Sequence, residues 1–511
     1  MVQVHHRPTG IKRLFCWVLV LQLASLSAFA ALDTAKREAC QVFTNSPDLS
    51  KCPVDTIYVS ARDPKAKFKS IQQAINYLKA TTANTPATIL IGSGVYQEQL
   101  VVDGFASITL LGQTTSPRSS YAHNTVDINH NRVLQKSDGY QNWLTSTLLV
   151  NGCADFKAYN LNLRQTAPVG IALAVAVMSS SGSFYACAIE GYQDTLFLGP
   201  NKTRGYLYGC YVSGVVDFIY GWATLVVKDS QIMLLGEGTA YVAWRGAETT
   251  TSGAYFFGST FDAAQNSFGK IYPRTVAVGR AWNDKARIVI LDCYLGSMIV
   301  PGIFAPWSYN PKDTRLSNEV FFGEYNSQGP GSEAKSKIVD SRTGKVDVDH
   351  LLHVLDTKSA APYYSLSTIF GQDILWIDGN FNVKAVSLAS GGVGGSSTPG
   401  ALAAAPALAA SLPPPAPSAG KGTPLTKQDP KKPTQDPKKT EHNPTKQKSK
   451  HHSHPKRKKK ATSTKPQVDS GAGASSNHVS GGRPNLASLP KKRGHGSGGH
   501  PHHHHHHHHH G

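Results

Sequence analysis

The feature that most limits the fold of this chain is a short β-prone run that returns at an irregular interval but a constant phase. Phe156-Lys157-Ala158-Tyr159-Asn160-Leu161 has the same shape as Phe184-Tyr185-Ala186-Cys187-Ala188-Ile189 and Leu207-Tyr208-Gly209-Cys210-Tyr211-Val212. The shape returns near Val226, Tyr255 and Val289, and its small or polar member (Cys187, Cys210, Ser230, Ser259, Cys293) recurs at spacings of 20 to 34 positions. A constant core phase with connections of variable length is the pattern left by the coils of a parallel β-helix. A β-sandwich is the alternative, but Asn-Gly and Asp-Gly hairpin signals are sparse between these runs.

Outside the repeats the chain divides by composition. Residues 1–30 hold a basic stretch (His5, His6, Arg7, Lys12, Arg13), an apolar run from Leu14 and a terminal Ala28-Phe29-Ala30, the layout of a secretory signal. The run is too short to span a membrane, and none of the later apolar stretches reaches about 18 residues. A short segment, 31–53, precedes the folded region at 54–385. Within that region Thr56–Ser60 reads as a strand. Ser70–Leu78 reads as a helix with Ser70 as its N-cap and Ile71, Ala74, Ile75 and Leu78 as its apolar stripe. Residues 386–511 are rich in Ala, Pro, Lys and His, and such composition is expected to stay disordered. Of the chain's net charge of +19, the tail accounts for +15, with 19 basic and 4 acidic residues. The basic balance therefore gives no reason to expect a nucleic-acid partner for the folded region.

Six cysteines remain after the signal, an even number suited to an oxidising compartment. Cys40 and Cys52 are paired by proximity, and Cys187 with Cys210 would stack one coil apart, within bridging reach. No metal-site spacing occurs among them. Asn201-Lys202-Thr203 is a glycosylation sequon.

Two acidic residues stand in apolar or aromatic surroundings 23 positions apart: Asp194 in Tyr192-Gln193-Asp194-Thr195-Leu196, and Asp217 in Val216-Asp217-Phe218-Ile219-Tyr220-Gly221. One coil separates them, which would bring both carboxylates to one face. They read either as a working pair or as two turn-capping aspartates.

These blocks occur in order with Gly279-Arg280-Ala281-Trp282, Pro301–Trp307 and Gly323-Glu324-Tyr325-Asn326-Ser327-Gln328-Gly329-Pro330-Gly331, and upstream with Phe68–Ile75 and Ile91–Glu98. Together they resemble the pectin methylesterases over residues 54–383. The resemblance implies an all-β, right-handed, single-stranded parallel β-helix that hydrolyses methyl esters of polygalacturonate without metal or cofactor; the signal segment adds the expectation of secretion, and a monomer is expected. It implies Asp217 as nucleophile, Asp194 as general acid and base, Gln193 as oxyanion donor and Arg280 as the partner that keeps Asp217 ionised. Trp282, Phe197, Tyr220, Val216 and Trp307 would line the pectin groove. Two departures stand out. The family places a second glutamine 22 positions before the first, and here that position is Ile171, which has no side-chain donor; Gln165 is six positions away. Ala281 also stands where proline is usual. An inactive or slow pectin-binding homologue is therefore the alternative function. Lyase or polygalacturonase chemistry would need a calcium-binding acidic cluster or a triple-aspartate site, and the folded region has neither pattern. Electrostatic attraction between the lysines of the tail and de-esterified pectin is a further expectation.

Overall fold

The computed structural model describes residues 33–381 apart from 118–120, 201, 247–251, 309–312, 314, 316, 318, 334–351 and 372–373. The signal segment, the sequon residue Asn201 and the Lys- and His-rich tail lie outside the described residues.

Eight coils each contribute one strand to each of three parallel sheets, and Ile57–Val59, Phe321–Tyr325 and Leu352–Val354 extend one of them at its ends, giving one sheet of eleven strands and two of eight. One coil runs Val175–Met178, Ser181–Tyr185, Ala188–Glu190; the next runs Leu196–Leu198, Arg204–Tyr208, Tyr211–Gly214. The strands of these sheets pair in parallel, and equivalent residues stack in register, as with Phe184 on Leu207 and Leu207 on Val227. The described residues form a parallel β-helix, and none of the strand pairs among them is the antiparallel hairpin of a sandwich.

The recurring phase seen in the sequence is a corner. Directly after seven successive strands of the eleven-stranded sheet, from Phe156–Tyr159 to Phe321–Tyr325, the backbone turns through one left-handed residue: Asn160, Ala186, Gly209, Asp229, Gly258, Asp292 and Asn326, with φ between 48° and 60°. Glycine tolerates this conformation freely, and Asn and Asp tolerate it better than other L-residues. The next residue points inward, which gives a buried column of Leu161, Cys187, Cys210, Ser230, Ser259 and Cys293. Its serine hydroxyls accept backbone N–H groups of the preceding coil, Cys210 to Ser230 Oγ at 3.0 Å and Ser230 to Ser259 Oγ at 3.2 Å.

This column also corrects one expected disulfide. Cys40 and Cys52 are bonded, but Cys187 and Cys210 are free thiols. Parallel strands stack about 4.8 Å apart with their side chains aligned, whereas bridged cysteines need Cβ atoms about 3.8 Å apart. Each thiol instead turns to main-chain carbonyls, Cys187 to Ala158 O and Tyr185 O, Cys210 to Phe184 O and Tyr208 O.

Helix α1 (Thr34–Gln41) and the segment around Asp378 cover the outer face of the eleven-stranded sheet. There Tyr159 and Tyr185 stack at 4.6 Å, Tyr159 Oη donates to Asp378 Oδ2 at 2.9 Å, and the Asp378 N–H donates to Tyr185 Oη at 2.7 Å. The buried Arg37 guanidinium lies 4.5 Å from the Tyr159 ring centre. Helix α2 (Ile71–Thr82) buries Ile71, Ala74, Ile75 and Leu78 as expected, but runs a turn beyond the apolar stripe. Its first turn is anchored by Glu98, whose carboxylate accepts from Ile71 N, Gln72 N and Ser70 Oγ.

Ala186 is the one corner residue in this set with a Cβ and no polar side chain. Left-handed backbone costs an L-residue about 1–2 kcal/mol, offset in glycine by greater unfolded-state freedom. Ala186→Gly is expected to raise stability by up to about 1 kcal/mol, read as a higher urea midpoint with an unchanged slope.

Candidate active site

The site is built on the outer face of the eight-stranded sheet that runs from Leu100–Asp103 to Phe304–Ala305. Successive coils place Ala176, Phe197, Tyr220, Ala243, Arg280 and Ala305 in one register column. The turn before each strand adds a second row, in which Ile171, Gln193 and Val216 are bridged in parallel. Asp194 and Asp217 follow directly, one coil apart, with φ of 61° and 45°. Their main-chain N–H groups donate to the next coil, to Val216 O at 3.3 Å and Ala240 O at 2.9 Å. Gly221 closes the second block where a Cβ would sit 2.2 Å from Leu198 O, so only glycine allows the two coils to approach there.

Arg280 stands two coils from Tyr220. The intervening column position is Ala243, whose small side chain leaves the guanidinium room to reach back to Asp217. It does so through two parallel bonds, Nε to Oδ1 at 2.9 Å and Nη2 to Oδ2 at 2.5 Å. Both aspartates are buried, 8% exposed at Asp194 and 7% at Asp217. Burial raises the Asp217 carboxyl above its ordinary value, and the bonds and charge of Arg280 offset part of that rise. Asp194 has no such fork. Burial first, and then the charge of Asp217, push its pKa up to about 8, against weaker opposition from Asn142 and Arg280. Two equivalent residues in adjacent coils thus titrate apart because one has a cation and the other does not.

Aromatic rings surround the pair. Phe197 and Tyr220 lie 4.9 Å apart, Tyr220 and Trp282 5.9 Å, and Arg280 Cζ sits 4.0 Å from the Trp307 ring centre. Arg315, fixed to Asp313 by bonds of 2.7 and 2.6 Å, covers Trp307 at 4.9 Å.

All nine residues singled out as catalytic or groove-lining therefore gather on one face. Gln165 is turned away; its amide donates to Thr145 O and Leu173 O at 2.7 and 3.2 Å. Three further neighbours lie outside the residues that the sequence marks. Trp222 packs on Phe197 and Trp282 at 5.1 and 5.6 Å, and its spacing of two from Tyr220 is the available signal. Trp143 stacks on Phe197 at 6.4 Å, and Asn142 donates from Nδ2 to Asp194 Oδ2 and to Tyr220 Oη, both at 3.3 Å. These two arrive from a turn 52 positions upstream of Asp194, with no local pattern to mark them.

The outer face of this parallel β-helix thus carries two buried carboxylates in adjacent coils, one of them ion-paired, and the family to which the chain belongs is one of esterases. The chain belongs to the pectinesterase family, whose model matches residues 57–350. It is 29% identical over 298 residues to the probable pectinesterase/pectinesterase inhibitor 6 of Arabidopsis thaliana, covering 57% of this chain and 49% of that protein. It is 28% identical over 294 residues to the probable pectinesterase A of Aspergillus fumigatus, covering 57% and 84%. The match thus spans about half the length of the plant relative and most of the fungal one. Among solved structures, the pectin methylesterase from Aspergillus niger shares the fold with a TM-score of 0.52 at 24% identity, over 65% of this chain and 98% of that one.

The raised pKa of Asp194 has a consequence for stability. The folded chain holds this proton more tightly than the unfolded chain, whose carboxyl titrates near the ordinary 3.8. The group's contribution is therefore complete below about pH 4 and is lost as pH rises through about 8. Asp194→Asn removes that loss, so its urea midpoint should gain on the wild type progressively from about pH 5 to about pH 8.

Proposed function

We propose that this protein is a secreted pectin methylesterase, with residues 54–385 as its catalytic domain and segment 31–53 packed against it. The substrate is methyl-esterified homogalacturonan, and the products are pectate and methanol. The observation that carries the reading is the bidentate Arg280–Asp217 pair one coil from an Asp194 carboxyl that keeps its proton near neutral pH.

In this reading Asp217, ionised beside Arg280, attacks the C6 ester carbonyl. Charge builds on the carbonyl oxygen, where the amide of Gln193 donates to it. The tetrahedral intermediate collapses, the C–O bond to the methoxy group breaks, and Asp194 gives its proton to the departing methanol. Asp217 then carries the C6 acyl group. Asp194, now anionic, takes a proton from water, the hydroxide attacks the acyl carbon, and Asp217 leaves as carboxylate with Asp194 protonated again. Trp282, Trp307 and Val216 form the open floor on which the sugar rings lie, with the buried rings of Phe197 and Tyr220 packed beneath as its support. The cationic tail would hold the anionic product at low salt, and the folded unit works as a monomer.

The register of Ile171 beneath Gln193 favours a second reading, a pectin-binding homologue with low turnover. Ile171 is half-buried against the aromatic cluster and supplies no donor on that flank. Methanol release from esterified pectin separates the two. Release by the wild type that disappears in Asp217→Asn supports the esterase; wild type indistinguishable from that variant supports the binding module.

A single oxyanion donor is worth about 10²–10³ in kcat elsewhere. Ile171→Gln, placed in the same row as Gln193, should therefore raise kcat about tenfold or more with little change in KM, because the oxyanion exists only in the transition state. Melting temperature measured alongside shows whether the new amide is accommodated.

A further inference from the structure

From the geometry around Asp194 we infer that Asn142 is the positioning residue for the general acid. Its amide fixes which oxygen of Asp194 accepts and leaves the other to deliver the proton. The inference rests on the reading of Asp194 as acid and base, and extends it to a residue that neither aspartate block contains.

Asn142 opens a short turn, Asn142–Thr145, that arches over the sheet bearing the site. The turn is held from several directions. Thr145 Oγ1 donates to Asn142 O at 2.7 Å, and Ser146 Oγ to Trp143 O at 2.7 Å. Gln99 Nε2 donates to Leu144 O and Ser146 O, both at 2.9 Å, and Arg132, paired with Asp138, also donates to Leu144 O. Trp143 rests on Phe197. A side chain on so constrained a turn reaches its partner without first losing rotational freedom.

The amide of Asn142 carries two hydrogens, and the structure shows a use for both. One points to Asp194 Oδ2 and the other to Tyr220 Oη, each over 3.3 Å. An oxygen that accepts an N–H is disfavoured as the site of a transferable proton, so the proton of Asp194 is directed to Oδ1. Tyr220 is held by the same amide and packs between Phe197 and Trp282, which ties the aromatic floor to the orientation of the acid. The groups around Asp194 come from four places: Asp217 from the next coil, Arg280 from two coils beyond that, the Tyr220 phenol from the adjoining strand, and Asn142 from the turn. Of these, Asn142 is the neutral donor bonded directly to the carboxyl. It favours the anion and so tempers the rise that burial and Asp217 impose.

The test is the pH dependence of kcat on esterified pectin for the full chain and for Asn142→Leu and Asn142→Asp, both close in shape to asparagine and both without the donor. Turnover requires protonated Asp194, so its alkaline limb reports that carboxyl. Losing the donor destabilises the anion, and the limb should move to higher pH in both variants, further in Asn142→Asp because of its added charge. Turnover at the optimum should fall about ten- to a hundredfold, the range of one hydrogen bond to an ionisable group, with KM little changed. Asp194→Asn is run beside them. If that control keeps near wild-type turnover, the assigned chemistry fails and the inference with it. If the control is inactive while Asn142→Leu and Asn142→Asp keep the wild-type limb, the positioning role is overturned. It is equally overturned if turnover falls with melting temperature while the limb stays in place. A limb that moves to lower pH would mean that Asn142 accepts from Asp194 instead, and would overturn the assignment of the proton to Oδ1.

Discussion

Everything in this molecule depends on the unbroken register of parallel strands. Each coil satisfies its backbone hydrogen bonds with the coils before and after it, so a residue cannot slip by one position without turning its whole strand inside out. Register turns sequence into columns: aliphatic ones inside, a left-handed column at the corner, and a mixed polar and aromatic column on the face that carries the site. The variable connections between strands are tolerated because they lie outside these columns.

The same rule places like residues over like, and at the site this is costly. Asp194 and Asp217 occupy equivalent places in adjacent coils, both largely removed from water. Two buried carboxylates in that arrangement cannot both ionise cheaply. The chain resolves the conflict asymmetrically, with a guanidinium on one and a retained proton on the other. Ala243 makes this possible by being small, because a bulky residue there would stand between Arg280 and Asp217. The site is in this sense a local departure from what stability alone would select, carried by a long and regular core.

The coil architecture is legible in the sequence because its signal, a fixed phase, is local and repeated many times. Asp194, Asp217, Gln193 and Arg280 are legible as a set because each sits in a compact block at a strand end. The expected Cys187–Cys210 bridge fails because stacking is not bonding distance, and a parallel ladder holds the two Cβ atoms too far apart. Asn142 and Trp143 are invisible in the sequence for a different reason. Their role comes from a loop folded back over the sheet, and neither spacing nor alternation encodes where such a loop lands.

The covering of the tyrosine ladder has a bearing on how such a stack comes apart. An array whose units touch only their nearest neighbours can fray from its ends, one unit at a time. Here Asn380 Nδ2 donates to Thr34 Oγ1 across 346 positions of sequence, and Asp378 is fastened to Tyr159 and Tyr185 in the middle of the array. Helix α1 and the last described segment are thus riveted together onto central coils. Fraying at one end pulls on a seam shared with the other, so a linear object acquires the cooperativity of a closed one.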